Sequence, residues 1–242
     1  MTGFRFLQAS DSAVVVEFGE TVDRAINDQV LALADAVDRA AIVGVIELVP
    51  TFRSLMIHYD SLITAGDDIE AAVTQIARQS QTITHGTRQL WHIPVCYEPS
   101  HAPDIEEIAR TLSLTPGEVA GLHAATRYHI YMIGFVPGYP YMGDVIPALQ
   151  LPRRVDPRTR VPPGSVAIAT NMTAVYPYES PGGWHLIGTT PVRFFDAASP
   201  RGALLAAGDA VTFESIDATE FARIKAAVER NEFVPASQEI GP

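Results

Sequence analysis

Apolar residues in the first third of the chain follow two different spacings. They recur three and four positions apart over residues 22–37 and again over 69–76, and this spacing is typical of amphipathic helices. Short apolar runs that predict strands lie at residues 4–9, 13–18, 44–52 and 55–59. Asp67 and Glu70 resemble a capping box at the start of the second helix. The order β-β-α-β-β-α predicts a small two-layer α/β sandwich of sheet and helices.

A polar stretch at residues 79–88, which contains Gly86, interrupts this pattern. We therefore predict a domain boundary there, with an N-terminal α+β domain over residues 1–86 and a second domain over residues 87–242. A strand over residues 90–95 opens the second domain, and two short helices follow it.

The second of these helices has a complete start signal. Thr115 is the predicted N-cap, Pro116 occupies the first helical position, and Glu118 closes a capping box. The helix pair resembles a DNA-binding helix-turn-helix in layout, but its helices carry four carboxylates against Arg110 alone. Together with the net charge of -11, this excess argues against nucleic acid as a partner.

The chain after residue 125 is rich in short apolar runs. They predict strands at residues 128–135, 165–170, 173–178, 184–189, 192–196 and 210–216. Turn signals of the Pro-Gly type separate several of them, at Pro137-Gly138, Pro163-Gly164 and Pro181-Gly182, since proline presets φ and glycine accepts a positive φ. Many short strands with such turns predict a closed or nearly closed β-barrel, and a last helix covers residues 221–228.

Composition narrows the possible functions. A hydrophobic fraction of 47% in 242 residues is enough for a sizeable core. No apolar run approaches the ~20 residues that cross a bilayer, and no signal peptide is visible, so we expect a cytoplasmic protein without a membrane partner. The single cysteine, Cys96, excludes an intrachain disulfide, and the single lysine, Lys225, does not belong to a Walker-type phosphate loop. The chain does not look like a self-sufficient hydrolase, dehydrogenase or kinase.

Four arginines fall within eight positions of this acidic chain, among several prolines, at Arg153, Arg154, Arg158 and Arg160. The planar guanidinium binds carboxylates and phosphates in a bidentate manner, so a stiff arginine loop predicts an anion clamp. Pairing of these arginines with nearby carboxylates is the competing interpretation.

Two further segments combine aromatic and polar side chains. Residues 134–143 form a loop with three glycines, two prolines and three aromatic residues, and such loops often shape a pocket. Residues 176–185 bring hydroxyl groups, a carboxylate and an imidazole to one tight turn, which suits proton transfer or, alternatively, ordinary packing in a hairpin. His123, near the end of a short helix, is either stabilised by the helix dipole or a candidate acid/base at the barrel mouth. The histidines show no metal-ligand spacing, so we predict no metal site.

These segments together resemble one protein family. The motifs are His123, Gly134-Phe135-Val136-Pro137-Gly138-Tyr139-Pro140-Tyr141, Pro152-Arg153, Pro157-Arg158, Val161-Pro162-Pro163-Gly164, Tyr176-Pro177 and Ser180-Pro181-Gly182-Gly183-Trp184. They are similar to the family called allophanate hydrolase subunit 1, carboxyltransferase subdomain B, or KipI, which includes the PxpB subunit of bacterial 5-oxoprolinase. The resemblance implies a small α+β domain followed by a cyclophilin-like β-barrel, so the expected fold class is α+β.

The resemblance also implies how the protein works. It implies a hetero-oligomer with a KipA- or PxpC-like subunit, completed by a LamB/YcsF-type protein, that opens 5-oxo-L-proline to L-glutamate at the expense of ATP. The chain alone is expected to be inactive, and the resemblance leaves open whether ATP contacts it. Two alternatives are a KipI-like regulator that inhibits a sensor histidine kinase and a subunit acting on urea or allophanate.

The matched positions supply the candidate site residues. By resemblance, Arg153 and Arg158 bind an anion, Tyr139 and Trp184 line the cleft, and His123 and Tyr176 orient the substrate or transfer a proton. One segment departs from the family, which usually reads Gly-x-Gln-Thr-Gly-Ile-Tyr-Pro where this chain has residues 170–177. Met172 stands in place of the glutamine, so recognition of the substrate or nucleotide is expected to differ.

Overall fold

A computed structural model describes residues 3–79 and 87–241 of the chain. The chain divides into two compact units, one that ends at Arg88 and one that covers Gln89–Ile240. Most of the polar stretch that led to the predicted boundary, residues 80–86, lies outside the described residues.

The first unit is a four-stranded antiparallel sheet with two helices. Its elements are β1 (Arg5–Ser10), β2 (Ala13–Glu17), α1 (Arg24–Ala40), β3 (Val45–Pro50), β4 (Ser54–Tyr59) and α2 (Gly66–Gln79). The strand order is β1-β2-β4-β3, and alternate residues of β4 (Leu55, Ile57 and Tyr59) are buried. They form one core with Val30, Leu33 and Val37 of α1 and with Ile69 and Val73 of α2, as the helical spacing of these residues predicts.

The start of α2 differs from the prediction. The helix already begins at Gly66, because the backbone N–H groups of Asp68 and Ile69 donate to the carbonyl of Ala65. Asp67 therefore lies in the first turn, where a carboxylate interacts favourably with the helix dipole, and it is not the capping residue.

The second unit is built mainly of strands. Its elements are β5 (Arg88–Cys96), α3 (Ile105–Leu112), α4 (Pro116–Ala124), β6 (Arg127–Ile133), β7 (Pro140–Gly143), a 3-10 turn (Pro147–Leu149), β8 (Arg158–Val161), β9 (Ser165–Ala169), β10 (Met172–Val175), β11 (Ser180–Gly182), β12 (His185–Thr189), β13 (Ala210–Ile216), α5 (Ala218–Glu229) and β14 (Ser237–Ile240).

Seven of these strands close into a barrel. The order β12-β9-β10-β7-β6-β13-β5 returns to β12 through a pairing of Thr189 with Cys96. The pairing of β5 with β13 is parallel, from Leu90 with Ala210 to Ile216 with Cys96, whereas the other pairs in the ring are antiparallel. This confirms the predicted α+β class and the predicted barrel.

A buried carboxylate holds the parallel pair together where the two strands begin. Asp209 precedes β13 and accepts hydrogen bonds from the backbone N–H of Gln89 at 2.9 Å and from Trp91 Nε1 at 3.0 Å. Its second oxygen also accepts the N–H of Ala206 at 3.1 Å. The carboxylate therefore ties the first and last strands of the ring to each other.

One strand prediction is wrong. Residues 192–196 form no ladder, because Val192 and Phe194 are buried by loop packing and only Phe195 makes an isolated bridge, to Ala203. The apolar pattern also missed four strands of the barrel unit: β7, which lies in the segment 134–143 predicted as a loop, β8 and β11, which form a separate two-stranded sheet, and β14. Among the described residues, no helix combines the length and the apolarity that a membrane span requires.

Candidate functional site

Four aromatic side chains of the barrel unit pack on one another, and we call Tyr139, Tyr141, Tyr176 and Trp184 the aromatic cluster. The ring centroid of Tyr139 lies 4.9 Å from that of Tyr141, 5.1 Å from that of Tyr176 and 6.4 Å from that of Trp184. The guanidinium carbon of Arg153 lies 5.8 Å from the centre of the Trp184 ring, in a cation–π arrangement. The structure thus brings together Tyr139, Tyr176, Trp184 and Arg153, which the resemblance placed in one cleft.

The local backbone explains how these rings meet. Gly138 has φ of +77°, and an added Cβ would lie 2.8 Å from the carbonyl oxygen of Phe194, so only glycine fits the turn that presents Tyr139. Gly182 has no positive φ and lies in β11, contrary to the predicted turn. Its lack of a side chain serves packing instead, because a Cβ there would overlap the hydroxyl of Tyr176.

Two phenol groups of the cluster, those of Tyr139 and Tyr176, share a hydrogen bond. Burial raises the pKa of Tyr139 far above its usual value, and Tyr176 raises it further by accepting its hydrogen bond. Burial also raises the pKa of Tyr176, although that hydrogen bond and the charges of Arg153 and Arg158 oppose the shift. Both phenols are therefore protonated at neutral pH, and Tyr139 donates its O–H to the hydroxyl of Tyr176.

Asp104 binds two of the four arginines. Its carboxylate is 3% exposed and lies 2.5 Å from Arg158 Nη2 and 3.5 Å from Arg154 Nη1, and it also accepts the N–H of Leu186 at 2.7 Å. Arg160 pairs with Glu179 at the surface, at 2.9 Å. Local carboxylates thus compensate these three arginines, as the competing interpretation of the arginine loop holds.

Arg153 differs from its neighbours. Within residues 3–79 and 87–241, no carboxylate lies within ion-pair distance of its guanidinium, which is exposed above Trp184. In the same part of the chain, Arg158 Nη1 is buried and has no hydrogen-bond partner. Arg153 therefore offers a complete guanidinium to an anion, while Arg158 has the two N–H groups of Nη1 left to donate.

His123 lies apart from the aromatic cluster, fully buried inside the barrel unit. Its Nδ1 lies 2.8 Å from the hydroxyl of Tyr97 and its Nε2 lies 2.9 Å from Thr173 Oγ1. Because the Thr173 hydroxyl donates to the carbonyl of Ala167, it accepts from Nε2–H, and Nδ1 accepts from Tyr97. Burial lowers the pKa of His123 to about 3, so the ring is neutral. These contacts join α4 to the barrel wall; a catalytic role for His123 stays a prediction.

The segment that departs from the family has two structural features. Thr170 has φ of +53°, in the left-handed region that favours glycine, which the family has at this position. Met172 is 6% exposed and pairs with Gly143 and Ala169 in the barrel wall. The substitution of the glutamine therefore removes an amide from the wall of the barrel.

Sequence reasoning missed Asp104 as a functional residue. It precedes α3 as an ordinary helix-start residue would, yet its side chain makes no cap hydrogen bond. Its partners Arg154 and Arg158 lie 50 and 54 residues further along the chain. The helix-start position is the only sequence signal, and it indicates a different role.

Comparisons with known proteins agree with this architecture. The family model for the carboxyltransferase domain, subdomain C and D, matches residues 4–205. The chain is 35% identical over 232 residues to the 5-oxoprolinase B subunit of Bacillus subtilis (strain 168), covering 90% of this chain and 95% of the relative. It is 32% identical over 203 residues to the 5-oxoprolinase B subunit of Escherichia coli O157:H7, covering 84% and 92%.

A solved structure shows the same fold. The crystal structure of TTHA0988 superposes on this chain with a TM-score of 0.76 at 35% identity. The match covers 85% of this chain but only 40% of TTHA0988, so this chain spans less than half the length of that protein. The family model carries subdomain letters C and D, where the resemblance implied B. The chain therefore belongs to the family described as "carboxyltransferase domain, subdomain C and D". This is the PxpB/KipI family that its motifs resemble.

Proposed function

We propose that this chain is a subunit of an ATP-dependent 5-oxoprolinase complex that opens 5-oxo-L-proline to L-glutamate. The observation that carries the proposal is the 35% identity to the 5-oxoprolinase B subunit of Bacillus subtilis, which extends over nearly the full length of both chains. A similarity that covers 90% of one chain and 95% of the other includes both units, so it supports a shared role of the whole chain.

The aromatic cluster suits such a substrate. The carboxylate of 5-oxo-L-proline would pair with Arg153, and the hydroxyl of Tyr176 would donate a second hydrogen bond. The faces of Tyr141 and Trp184, 6.1 Å apart between centroids, would cover the apolar edge of the ring. One guanidinium without a carboxylate partner matches the single negative charge of this substrate.

The same cluster does not fit ATP. A triphosphate carries several negative charges, whereas Arg154 and Arg158 are already compensated by Asp104. We therefore propose that this chain does not take part in ATP hydrolysis and that the complex as a whole carries it out. Because the proposed reaction uses ATP, we place the complex in the cytoplasm.

The partners complete the chemistry in this proposal. Tyr139 and Tyr176 are protonated at neutral pH, so they bind and orient a substrate but do not act as bases. The base, the phosphoryl chemistry and the attacking group come from a KipA/PxpC-like subunit and a LamB/YcsF-type protein. The chain alone is then inactive.

Phosphate release from ATP tests the proposal. The chain is co-purified with its KipA/PxpC-like partner, supplemented with the LamB/YcsF-type protein, and assayed with and without 5-oxo-L-proline. We expect stimulation by 5-oxo-L-proline only when all three proteins are present. An intact complex that shows no stimulation contradicts the proposal and favours the kinase-regulator or urea/allophanate alternatives.

The role of Arg153 has its own variant pair. Arg153→Met keeps a side chain on Trp184 but removes the positive charge, so KM for 5-oxo-L-proline should rise at least about tenfold. Arg160→Met removes a surface arginine that pairs with Glu179 and serves as the control. Equal KM values in the two variants would place the substrate carboxylate elsewhere.

A further inference from the structure

Phe135, beside the aromatic cluster, combines two unfavourable features. Its φ is +67°, in the left-handed region that bulky side chains rarely adopt. The residue is also 58% exposed, so burial within this chain does little to offset the strain of its backbone. Strained residues concentrate at binding and catalytic sites, and Phe135 is therefore a candidate for contact with another molecule.

The strain at Phe135 is not shared by similar residues elsewhere. Among residues 3–79 and 87–241, the other non-glycine residues with a positive φ have small or polar side chains: Ala41, Ser113, Asp144, Thr170 and Asn231. Ala41 and Ser113 end helices, where the left-handed conformation is common. Within the described chain, Phe135 is the one large apolar side chain in this conformation.

Backbone hydrogen bonds hold the loop that carries Phe135. The N–H of Gly134 donates to the carbonyl of Tyr139 at 3.0 Å, and the N–H of Tyr139 donates to the carbonyl of Val136 at 3.1 Å. The ring of Phe135 meets the ring of Tyr139 edge to face, with 5.4 Å between their centroids. One closed loop therefore both retains the strain and positions a residue of the candidate site.

Phe135 belongs to an apolar surface that extends away from the cluster. A Cβ added to Gly138 would lie 2.8 Å from Phe195 Cβ, so the loop packs directly against Phe195. The ring of Phe195 lies 6.2 Å from that of Tyr178, which is 45% exposed. Pro137, also exposed, lies between Phe135 and Gly138. We call Phe135, Pro137, Tyr178 and Phe195 the Phe135 surface.

The charged groups next to the Phe135 surface compensate one another. Arg160 pairs with Glu179 at 2.9 Å. Arg193 pairs with Asp196 at 3.4 Å. The surface is therefore aromatic and close to neutral, although the chain as a whole carries a net charge of -11. Aromatic side chains without net charge are typical of the core of a protein–protein interface, and they match an apolar partner surface rather than a basic one.

We propose that Phe135 inserts into an apolar socket on the KipA/PxpC-like subunit. The inference rests on the proposed function, in which that subunit forms the lasting complex with this chain and supplies catalytic groups. Lasting interfaces are the more hydrophobic ones, as the Phe135 surface requires. Tyr139 and Tyr176 are protonated and do not act as bases, so the partner has to approach the cluster. Docking beside Tyr139 brings it there, and burial of the ring offsets the strain.

Phe135→Asn gives the sharpest test, because asparagine tolerates a positive φ and lacks the ring. The chain is co-purified with the KipA/PxpC-like subunit, and the complex is diluted stepwise and followed by analytical ultracentrifugation. Kd should rise at least about tenfold in Phe135→Asn, whereas Phe135→Tyr, which keeps the ring, should stay within about threefold of the wild type. Equal Kd values for Phe135→Asn and the wild type would overturn the proposal.

Two controls separate docking from folding. Leu62→Asn removes an apolar side chain of the first unit that is 94% exposed, and its complex should have the Kd of the wild type. The isolated Phe135→Asn chain should melt at the same temperature as the wild type or higher, since it loses both the strain and an exposed ring. A clearly lower melting temperature, or equal weakening by Leu62→Asn, would overturn the proposal.

Enzyme kinetics separate docking from a direct contact with the substrate. With the partner at saturating concentration, Phe135→Asn should have the KM of the wild type for 5-oxo-L-proline. A raised KM with an unchanged Kd for the partner would place the ring on the substrate and overturn the proposal. If association depends on Phe135 but the complete complex shows no turnover of 5-oxo-L-proline, the inference holds and the proposed function fails.

Discussion

Asp104 is the residue on which the arginine-rich side of the barrel unit depends. It compensates Arg154 and Arg158, whose side chains are 23% and 25% exposed, and it also accepts a backbone N–H from β12. An asparagine at this position keeps the shape and the backbone hydrogen bond but leaves two partly buried cations without a counter-charge. Asp104→Asn should therefore lower the free energy of unfolding by about 2–3 kcal/mol.

Urea unfolding followed by tryptophan fluorescence measures this effect, because both tryptophans, Trp91 and Trp184, belong to the barrel unit. Glu179→Gln is the matched control. Its partner Arg160 has a side chain that is 76% exposed, so the loss should stay below about 1 kcal/mol. Equal losses for the two variants would show that the Asp104 network contributes no more than a surface ion pair.

His123 makes the stability of the barrel unit depend on pH. Its pKa in the folded protein is about 3, against an ordinary value of 6.5, because the ring is fully buried. Above pH 6.5 the ring is neutral in both states and contributes no pH dependence. As the pH falls below 6.5 the unfolded chain takes up a proton that the folded protein excludes, so the folded state loses stability by about 1.4 kcal/mol per pH unit until the pH nears 3.

His123→Gln tests this linkage. The glutamine amide keeps a donor for Thr173 but leaves the hydroxyl of Tyr97 without its acceptor, so the variant should be less stable at neutral pH by about 1–3 kcal/mol. Between pH 6.5 and pH 5 its stability should fall by about 2 kcal/mol less than that of the wild type. Parallel stability curves in urea over this range would assign the acid sensitivity to other groups.

At the scale of the elements, β11 meets the aromatic cluster through one glycine. An alanine Cβ at position 182 would lie 2.8 Å from Tyr176 Cζ and would overlap its hydroxyl. At the adjacent Gly183 the nearest atom would be Pro157 Cβ at 3.6 Å, which is ordinary contact. Gly182→Ala should therefore cost about 1–3 kcal/mol and change the near-ultraviolet circular dichroism of the cluster, while Gly183→Ala should stay close to the wild type. A wild-type spectrum for Gly182→Ala would contradict the packing role of this glycine.

Local patterns predicted most elements but not the small ones. The periodicity of α1 and the capping box of α4 are local features, and the structure confirms both. The turns at Gly138 and Gly164, with φ of +77° and +80°, also follow from their Pro-Gly sequences. Gly182 carries the same Pro-Gly signal without the positive φ, because it pairs with Arg158, a residue distant in the chain, in the β8–β11 sheet. Contacts of that kind are absent from the local sequence.

In the candidate site, too, contacts between residues distant in the chain could not be predicted from local sequence. The resemblance and the unusual loops pointed to Tyr139, Tyr176, Trp184 and Arg153, which the structure brings together. The pairing of Arg158 with Asp104 spans 54 residues and depends on the fold of the barrel, so local sequence alone could not establish it. The burial of His123 has the same origin, since Phe213 and Thr173 come from distant strands.

For the whole molecule, the barrel depends on the parallel pairing of β5 with β13, its first and last strands in the chain. A chain that ends at residue 208 lacks β13, α5 and β14, so β5 and β6 lose the strand between them. Trp91 also loses its hydrogen bond to Asp209. We expect red-shifted emission of both tryptophans and loss of the near-ultraviolet circular dichroism, while a chain that ends at residue 236, which lacks only β14, should keep both signals. A blue-shifted, native-like spectrum for the shorter chain would show that the barrel closes without β13.

The pairing of β5 with β13 also determines when the barrel unit can fold during synthesis of the protein. Gln89 and Asp209, which meet where the two strands begin, are 120 residues apart in the chain. The first unit is complete once its two helices and four strands have left the ribosome, and it can fold while translation continues. The barrel unit must wait until β13 emerges, about 120 residues after β5, with the edges of its earlier strands open to other chains. In a crowded cell, this interval is when the barrel unit most needs chaperones.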